Sequence, residues 1–105
     1  MEPIVVFITA GSKDEAEKIS NHLVDKKIVA CCNLVSPVQS TFFWKGQVCG
    51  ESEVLILAKT TRVRFQELIT TVKSLHSYET PEIIAIPIID GSSDYLKWIV
   101  DETAA

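Results

Sequence analysis

The chain opens with Pro-Ile-Val-Val-Phe-Ile-Thr over residues 3–9. This unbroken, β-branched apolar run has the length of a strand and predicts a buried one. Ser12-Lys13-Asp14-Glu15 follows and reads as a capping box, in which the Ser12 hydroxyl caps a helix and Glu15 reaches back to the cap amide. Ala16, Ile19, Leu23 and Val24 then recur at helical spacing. Lys26 and Lys27 close the last turn, where positive charge suits the helix dipole.

Residues 28–45 read as one long strand, interrupted at Ser36-Pro37, where proline marks an edge, bend or bulge. Lys45-Gly46 begins a turn, Gly50 is the expected kink in the return strand, and Glu53 to Thr60 is its main run. Extended at about 3.3 Å per residue, residues 29–45 would span roughly 55 Å. A domain of 105 residues is only about 30–35 Å across. The strand must therefore bend or project as a two-stranded ribbon. A ribbon carrying Phe42, Phe43 and Trp44 is marginal alone in water, and a second copy of the chain is the economical cover.

The second half repeats the first. Thr61 is the expected cap of a helix whose apolar positions are Phe65, Leu68, Ile69, Val72 and Leu75, and His76 closes it. The loop His76 to Glu82 leads to a buried strand over Ile83–Ile89. Gly91-Ser92-Ser93 breaks the chain before a last helix from Asp94 to Thr103, with Tyr95, Trp98 and Ile99 on one side. The order β-α-β-β-α-β plus a helix is an α+β, ferredoxin-like sandwich in a single domain, residues 1–105. Its strands are apolar on both sides, whereas its two long helices cover one face. That is a second argument for oligomerisation.

Composition narrows the class. With 47% hydrophobic and 23% charged residues the chain is an ordinary globular protein. Its 14 acidic and 10 basic residues give a net charge of −4, which argues against nucleic acid as a partner. No apolar run approaches the ~20 residues of a membrane span. Residues 1–10 hold no basic residue, so no secretory signal is expected. Cys31, Cys32 and Cys49 are an odd set, and the adjacent pair points to opposite strand faces, so a reduced, cytoplasmic protein is expected.

Fold does not decide function. A metal-carrying domain of this fold would place Cys-x-x-Cys in the first βα loop, which here is Thr9-Ala10-Gly11-Ser12. An RNA-binding one would carry aromatics in its third strand, where this chain has none and is flanked by Glu51 and Glu53. No nucleophile–base motif is readable, so no enzyme is expected.

Several segments resemble one family. Val29-Ala30-Cys31-Cys32-Asn33-Leu34, Trp44-Lys45-Gly46, Ser52 to Thr60, His76-Ser77-Tyr78-Glu79-Thr80-Pro81-Glu82 and Gly91 with Tyr95-Leu96-Lys97-Trp98 are similar, in order and spacing, to the CutA family of divalent-ion tolerance proteins. The resemblance covers essentially the whole chain. It implies a ferredoxin-like homotrimer with packed sheets and ribbons paired between subunits, and binding of copper or another divalent cation. Some bacterial members carry Cys at the position of Ile8 and His at that of Leu75, both linked to copper, so of that set His76 alone stands here. Ser77 replaces the usual proline and is expected to loosen its loop.

The candidate metal residues are His76, Tyr78, Glu79 and Glu82, because imidazole suits copper and zinc and the oxygen donors lie within a few residues. Lys59 stands in an apolar strand and needs a partner, either a loop carboxylate or an anion. Arg62 and Arg64 lie in a first helical turn, where cations are unfavourable unless an intersubunit carboxylate or an anionic ligand relieves them. Trp44 is an interface anchor or a stacking platform, and Cys32 is a small buried residue or a metal ligand. The alternative function is a small-molecule or nucleotide sensor in which Lys45, Lys59, Arg62 and Arg64 hold an anion. A ligand-free scaffold is the third reading.

Overall fold

Alternation along the first strand sets the architecture. In β1 (Pro3–Ala10) every second residue, Ile4, Val6, Ile8 and Ala10, is buried. These side chains share one face, as a strand's period of two requires. Onto that face pack α1 (Lys13–Asp25), through Ala16, Ile19 and Leu23, and α2 (Phe65–Leu75), through Leu68 and Val72. Side chains as fully buried as Ile8, Ile19 and Leu68 each contribute about 1.5–3 kcal/mol of transfer free energy. The remaining elements are β2 (Cys31–Trp44), β3 (Gln47–Thr61), β4 (Ile83–Pro87) and α3 (Ser93–Glu102). The structure, a computed structural model, describes residues 1–104.

The strands form one antiparallel sheet in the order β2-β3-β1-β4, the α+β ferredoxin-like arrangement expected. β2 and β3 run on beyond β1 as a ribbon, giving extents of 44 × 26 × 21 Å. The long strand therefore projects. Lys45 and Gly46 turn it at φ 51° and 79°, both left-handed, which two-residue hairpins require and glycine supplies readily.

Four local expectations are corrected. The register irregularity lies between Val35 and Val38, around Pro37 with its missing N–H, whereas Gly50 pairs regularly with Thr41. Residues 28–30 precede β2, tied to β3 by Ala30 N–H to the Lys59 carbonyl at 2.8 Å. Thr61 does not cap a helix with its side chain: it is the last, fully buried residue of β3, and a 3₁₀ turn over Arg62–Arg64 leads into α2. β4 ends at Pro87 on the sheet edge, after which Ile88 N–H bonds the Pro3 carbonyl and Ile89 faces solvent.

The second sheet face is only partly covered. α3 closes one end of it, burying Ile99 and meeting Cys31 Sγ with the Tyr95 hydroxyl at 3.4 Å. Elsewhere this face presents Phe7, Leu55 and Leu57 half-buried, with Ile84 and Ile86 at 54% and 49% exposure.

Candidate functional site

Where the ribbon leaves the body, the 76–82 loop folds against it and encloses a cleft of about 820 Å³. Glu51 and Glu53 enter it from β3, and Glu79 and Glu82 from the loop. Phe42, Trp44 and Tyr78 form its aromatic wall, and Ser40, Thr41 and Thr80 complete the lining. Phe42 and Trp44 share this wall because they are two apart on one strand. Phe43, between them, faces the other way and is 73% exposed. Among the described residues, no lysine or arginine lines the cleft.

A chain of hydrogen bonds holds the loop. The His76 side chain is fully buried. Its Nε2 lies 2.7 Å from the Thr9 carbonyl and its Nδ1 3.0 Å from the Tyr78 backbone nitrogen. This pairing fits the neutral ring with Nε2–H donating and Nδ1 accepting. The Tyr78 ring tilts against His76 at 4.7 Å between centroids. Its hydroxyl donates to Glu53 Oε2 at 2.7 Å. Gly11 makes room for it, since a Cβ there would stand 3.1 Å from that hydroxyl.

Glu15 completes the clamp, accepting the Ser77 N–H at 2.7 Å and the Ser77 hydroxyl at 3.1 Å. Burial opposes its charge, but these bonds, with the nearby His76 and the Gly11 backbone, outweigh it and hold the carboxyl below its ordinary range. Two readings change here. Glu15 spends its carboxylate on the loop instead of its own cap, although Ser12 does cap the Glu15 N–H at 3.2 Å. Ser77 also tightens the loop, because it offers an N–H and a hydroxyl that proline lacks.

Glu53 is only 8% exposed. Tyr78 is its hydrogen-bond donor, and among the described residues no basic group forms an ion pair with it. Beside this carboxylate the Tyr78 phenol is pushed up to about 12, by burial first and then by the hydrogen bond and charge of Glu53.

The residues singled out from sequence thus separate. Tyr78, Glu79, Glu82 and Trp44 meet in the cleft. His76 lies behind it with both ring nitrogens engaged, so it positions the loop and offers no free lone pair to a metal. Tyr78 is a neutral donor to Glu53, which makes it a positioning residue as well. Lys59 bonds Asn33 Oδ1 on the partly covered sheet face and meets neither a loop carboxylate nor the cleft. Arg62 pairs with Glu2 at 3.6 Å and Arg64 with Glu67 at 3.3 Å, so both find carboxylates within the chain. Lys45 lies at the ribbon tip, on the order of 40 Å along β3 from Lys59. The basic residues therefore build no anion pocket within the chain. Cys32 faces the helices against the core, and burial pushes its thiol up to about 11. Among the described residues, no three His, Cys, Asp or Glu side chains gather closely enough to hold a metal ion.

Sequence reasoning missed Glu51 and Glu53 as cleft residues, and Gly11, Glu15 and Ser77 as its supports. For the two glutamates the signal lay in the ribbon register, which depends on the irregularity at Pro37.

Residues 4–102 match the family described as CutA1 divalent ion tolerance protein. The chain belongs to the CutA1 family. It is 41% identical over 99 residues to the divalent-cation tolerance protein CutA of Thermus thermophilus, covering 94% of this chain and 96% of that one. It is 44% identical over 98 residues to the protein of the same name from Archaeoglobus fulgidus, covering 93% and 94%. Among solved structures, the Thermus thermophilus protein superposes with a TM-score of 0.95 at 40% identity, over 97% of this chain and 99% of that one. CutA1 from Oryza sativa gives 0.96 at 33% identity, over 98% and 94%. Against that CutA1 background, Ile8 is a fully buried core residue and Leu75 packs on the same core. Both positions fill space here.

Proposed function

We propose that this chain is a CutA-type divalent-cation tolerance protein that acts as a homotrimer and takes up divalent cations, copper foremost, in the acidic cleft. The observation that carries this reading is that Glu51, Glu53, Glu79 and Glu82 line one cleft, which among the described residues no basic side chain lines. The names of the Thermus and Archaeoglobus relatives point the same way. With no three ligating groups together, one or two carboxylates and water would hold each ion, as is usual for hard, hydrated cations. Copper(II) is favoured because any set of oxygen or nitrogen donors binds it most tightly among the common divalent ions. Glu79 and Glu82 are the ligands of choice, and His76 and Tyr78 hold the loop that presents them.

The homotrimer reading rests on the partly covered sheet face and on Phe43 and Val48. These two pair across the ribbon at 73% and 69% exposure, with Ile84 and Ile86 open beyond. A reducing, cytoplasmic setting suits three free thiols.

Equilibrium dialysis of metal-stripped protein against Cu(II), Zn(II) and Mg(II) tests the cleft. Saturable Cu(II) uptake that falls at least tenfold in affinity in the Glu79→Gln/Glu82→Gln variant supports it. Unchanged uptake in that variant places the ions elsewhere.

A further inference from the structure

The 76–82 loop is tied to the body of the chain by a ring that fits its place in one protonation state. The His76 side chain has no solvent exposure. Its Nε2 faces the Thr9 carbonyl at 2.7 Å, and a carbonyl only accepts, so Nε2 carries the proton. Its Nδ1 faces the Tyr78 backbone N–H at 3.0 Å, and an N–H only donates, so Nδ1 offers its lone pair. A second proton on the ring would sit at Nδ1, aimed at another donor.

The elements packed around the ring leave that proton one outlet. β1 contributes the Thr9 carbonyl, already taken. The loop contributes Tyr78, whose hydroxyl is spent on Glu53 of β3, with Glu51 near enough to act on the same phenol. On α2 itself Lys73 is exposed. α1 contributes Glu15, whose Oε2 lies 3.9 Å from Nδ1. That is too long for a hydrogen bond and close enough to attract an imidazolium. The same oxygen accepts the Ser77 N–H at 2.7 Å.

We propose that His76 is an acid-operated latch: a proton gained from solvent at Nδ1 makes the ring drop the Tyr78 N–H, take Glu15 Oε2 from Ser77 and release the loop. The exchange satisfies the imidazolium inside the body and leaves the Ser77 and Tyr78 N–H groups without their acceptors, so they turn to water. Despite burial, the Ser77 bonds keep the Glu15 carboxyl below 4.5, so it is ionised where histidine ordinarily titrates. Glu79 and Glu82 ride on the same loop and would leave the cleft wall with it. The latch is built from contacts within one chain and stands whether or not the cleft takes a metal ion.

Nuclear magnetic resonance of the nitrogen-15-labelled, metal-stripped protein tests it between pH 8 and pH 5, about the span in which histidine changes charge. His22, the other of the two histidines, is the internal reference. At pH 8 the His76 ring should carry its proton on Nε2. On acidification, ring protonation and a drop of about tenfold or more in hydrogen-exchange protection of the Tyr78 amide should share one midpoint. The change should reverse on return to pH 8 and leave the β1 amides protected. His76→Asn, which cannot titrate and keeps an oxygen acceptor for the Tyr78 N–H, should abolish the step. Should that variant fail to fold, Glu15→Gln gives a second reading: without the carboxylate the midpoint should fall by about one pH unit. Four results would each overturn the latch: a ring still neutral at pH 5, ring protonation with the Tyr78 amide still protected, a step that survives His76→Asn, or a midpoint unmoved by Glu15→Gln. Loss of β1 protection at the same midpoint would mean global unfolding and would overturn it too.

Discussion

The Tyr78 hydroxyl donates to Glu53 Oε2 at 2.7 Å, so the loop is fastened to the ribbon by a neutral acid on a buried carboxylate. Removing the hydroxyl leaves that carboxylate without a donor. Tyr78→Phe is expected to cost about 1 kcal/mol in denaturant unfolding at pH 7. The phenol's folded-state value, about 12, lies above its ordinary 10.0. The associated stabilisation is therefore complete below pH 10 and lost as the pH rises through 12. Ultraviolet titration should show no Tyr78 phenolate at pH 10.5, and its appearance there would contradict the contact.

Glu15 works with the opposite sign. Its carboxyl is held below 4.5, chiefly through Ser77, despite partial burial. Its contribution is present above pH 4.5 and lost as the pH falls through the lower folded value. Glu15→Gln is expected to lower stability at pH 7 by about 1 kcal/mol and to flatten the decline in acid. Denaturant midpoints measured across the acid range check both effects.

Phe43 and Val48 form an exposed apolar pair on the ribbon face away from the cleft. Phe43→Ser should shift the assembly toward smaller species at low concentration while leaving the chain's own secondary structure unchanged. Sedimentation at several concentrations measures this, and an unchanged assembly would remove the ribbon from the interface.

His76 provides a sharper check on the ligand set. With Nε2 on the Thr9 carbonyl and Nδ1 on the Tyr78 N–H, the ring is committed to the loop. Bound Cu(II) should give an electron paramagnetic resonance spectrum of oxygen ligands without histidine nitrogen splitting. Such splitting would mean that the ring leaves Tyr78 to bind the metal.

Much of this was readable from residue order because local rules and tertiary packing agree. The apolar run of β1, the capped amphipathic α1 and the turn at Lys45-Gly46 each follow from spacing alone. The projection of the ribbon followed from chain length against domain size. The site was half legible. Glu79, Glu82 and Tyr78 stood out as a loop cluster, but Glu53 stood only as an acid flanking the third strand. Its burial depends on the pairing with Val38 and on a tyrosine 25 residues away, contacts that only the folded register creates. The Glu15–Ser77 bonds span 62 residues and compete with a local cap that the sequence equally permits. Lys59, Arg62 and Arg64 suggested an anion site because each needed a partner. Folding supplies those partners one by one, within the chain.

The most direct test is native mass spectrometry of the metal-stripped protein through a Cu(II) titration. The account predicts a trimer that takes up one ion per subunit and then saturates. A monomer or dimer, or a trimer whose uptake rises without a stoichiometric step, would contradict it.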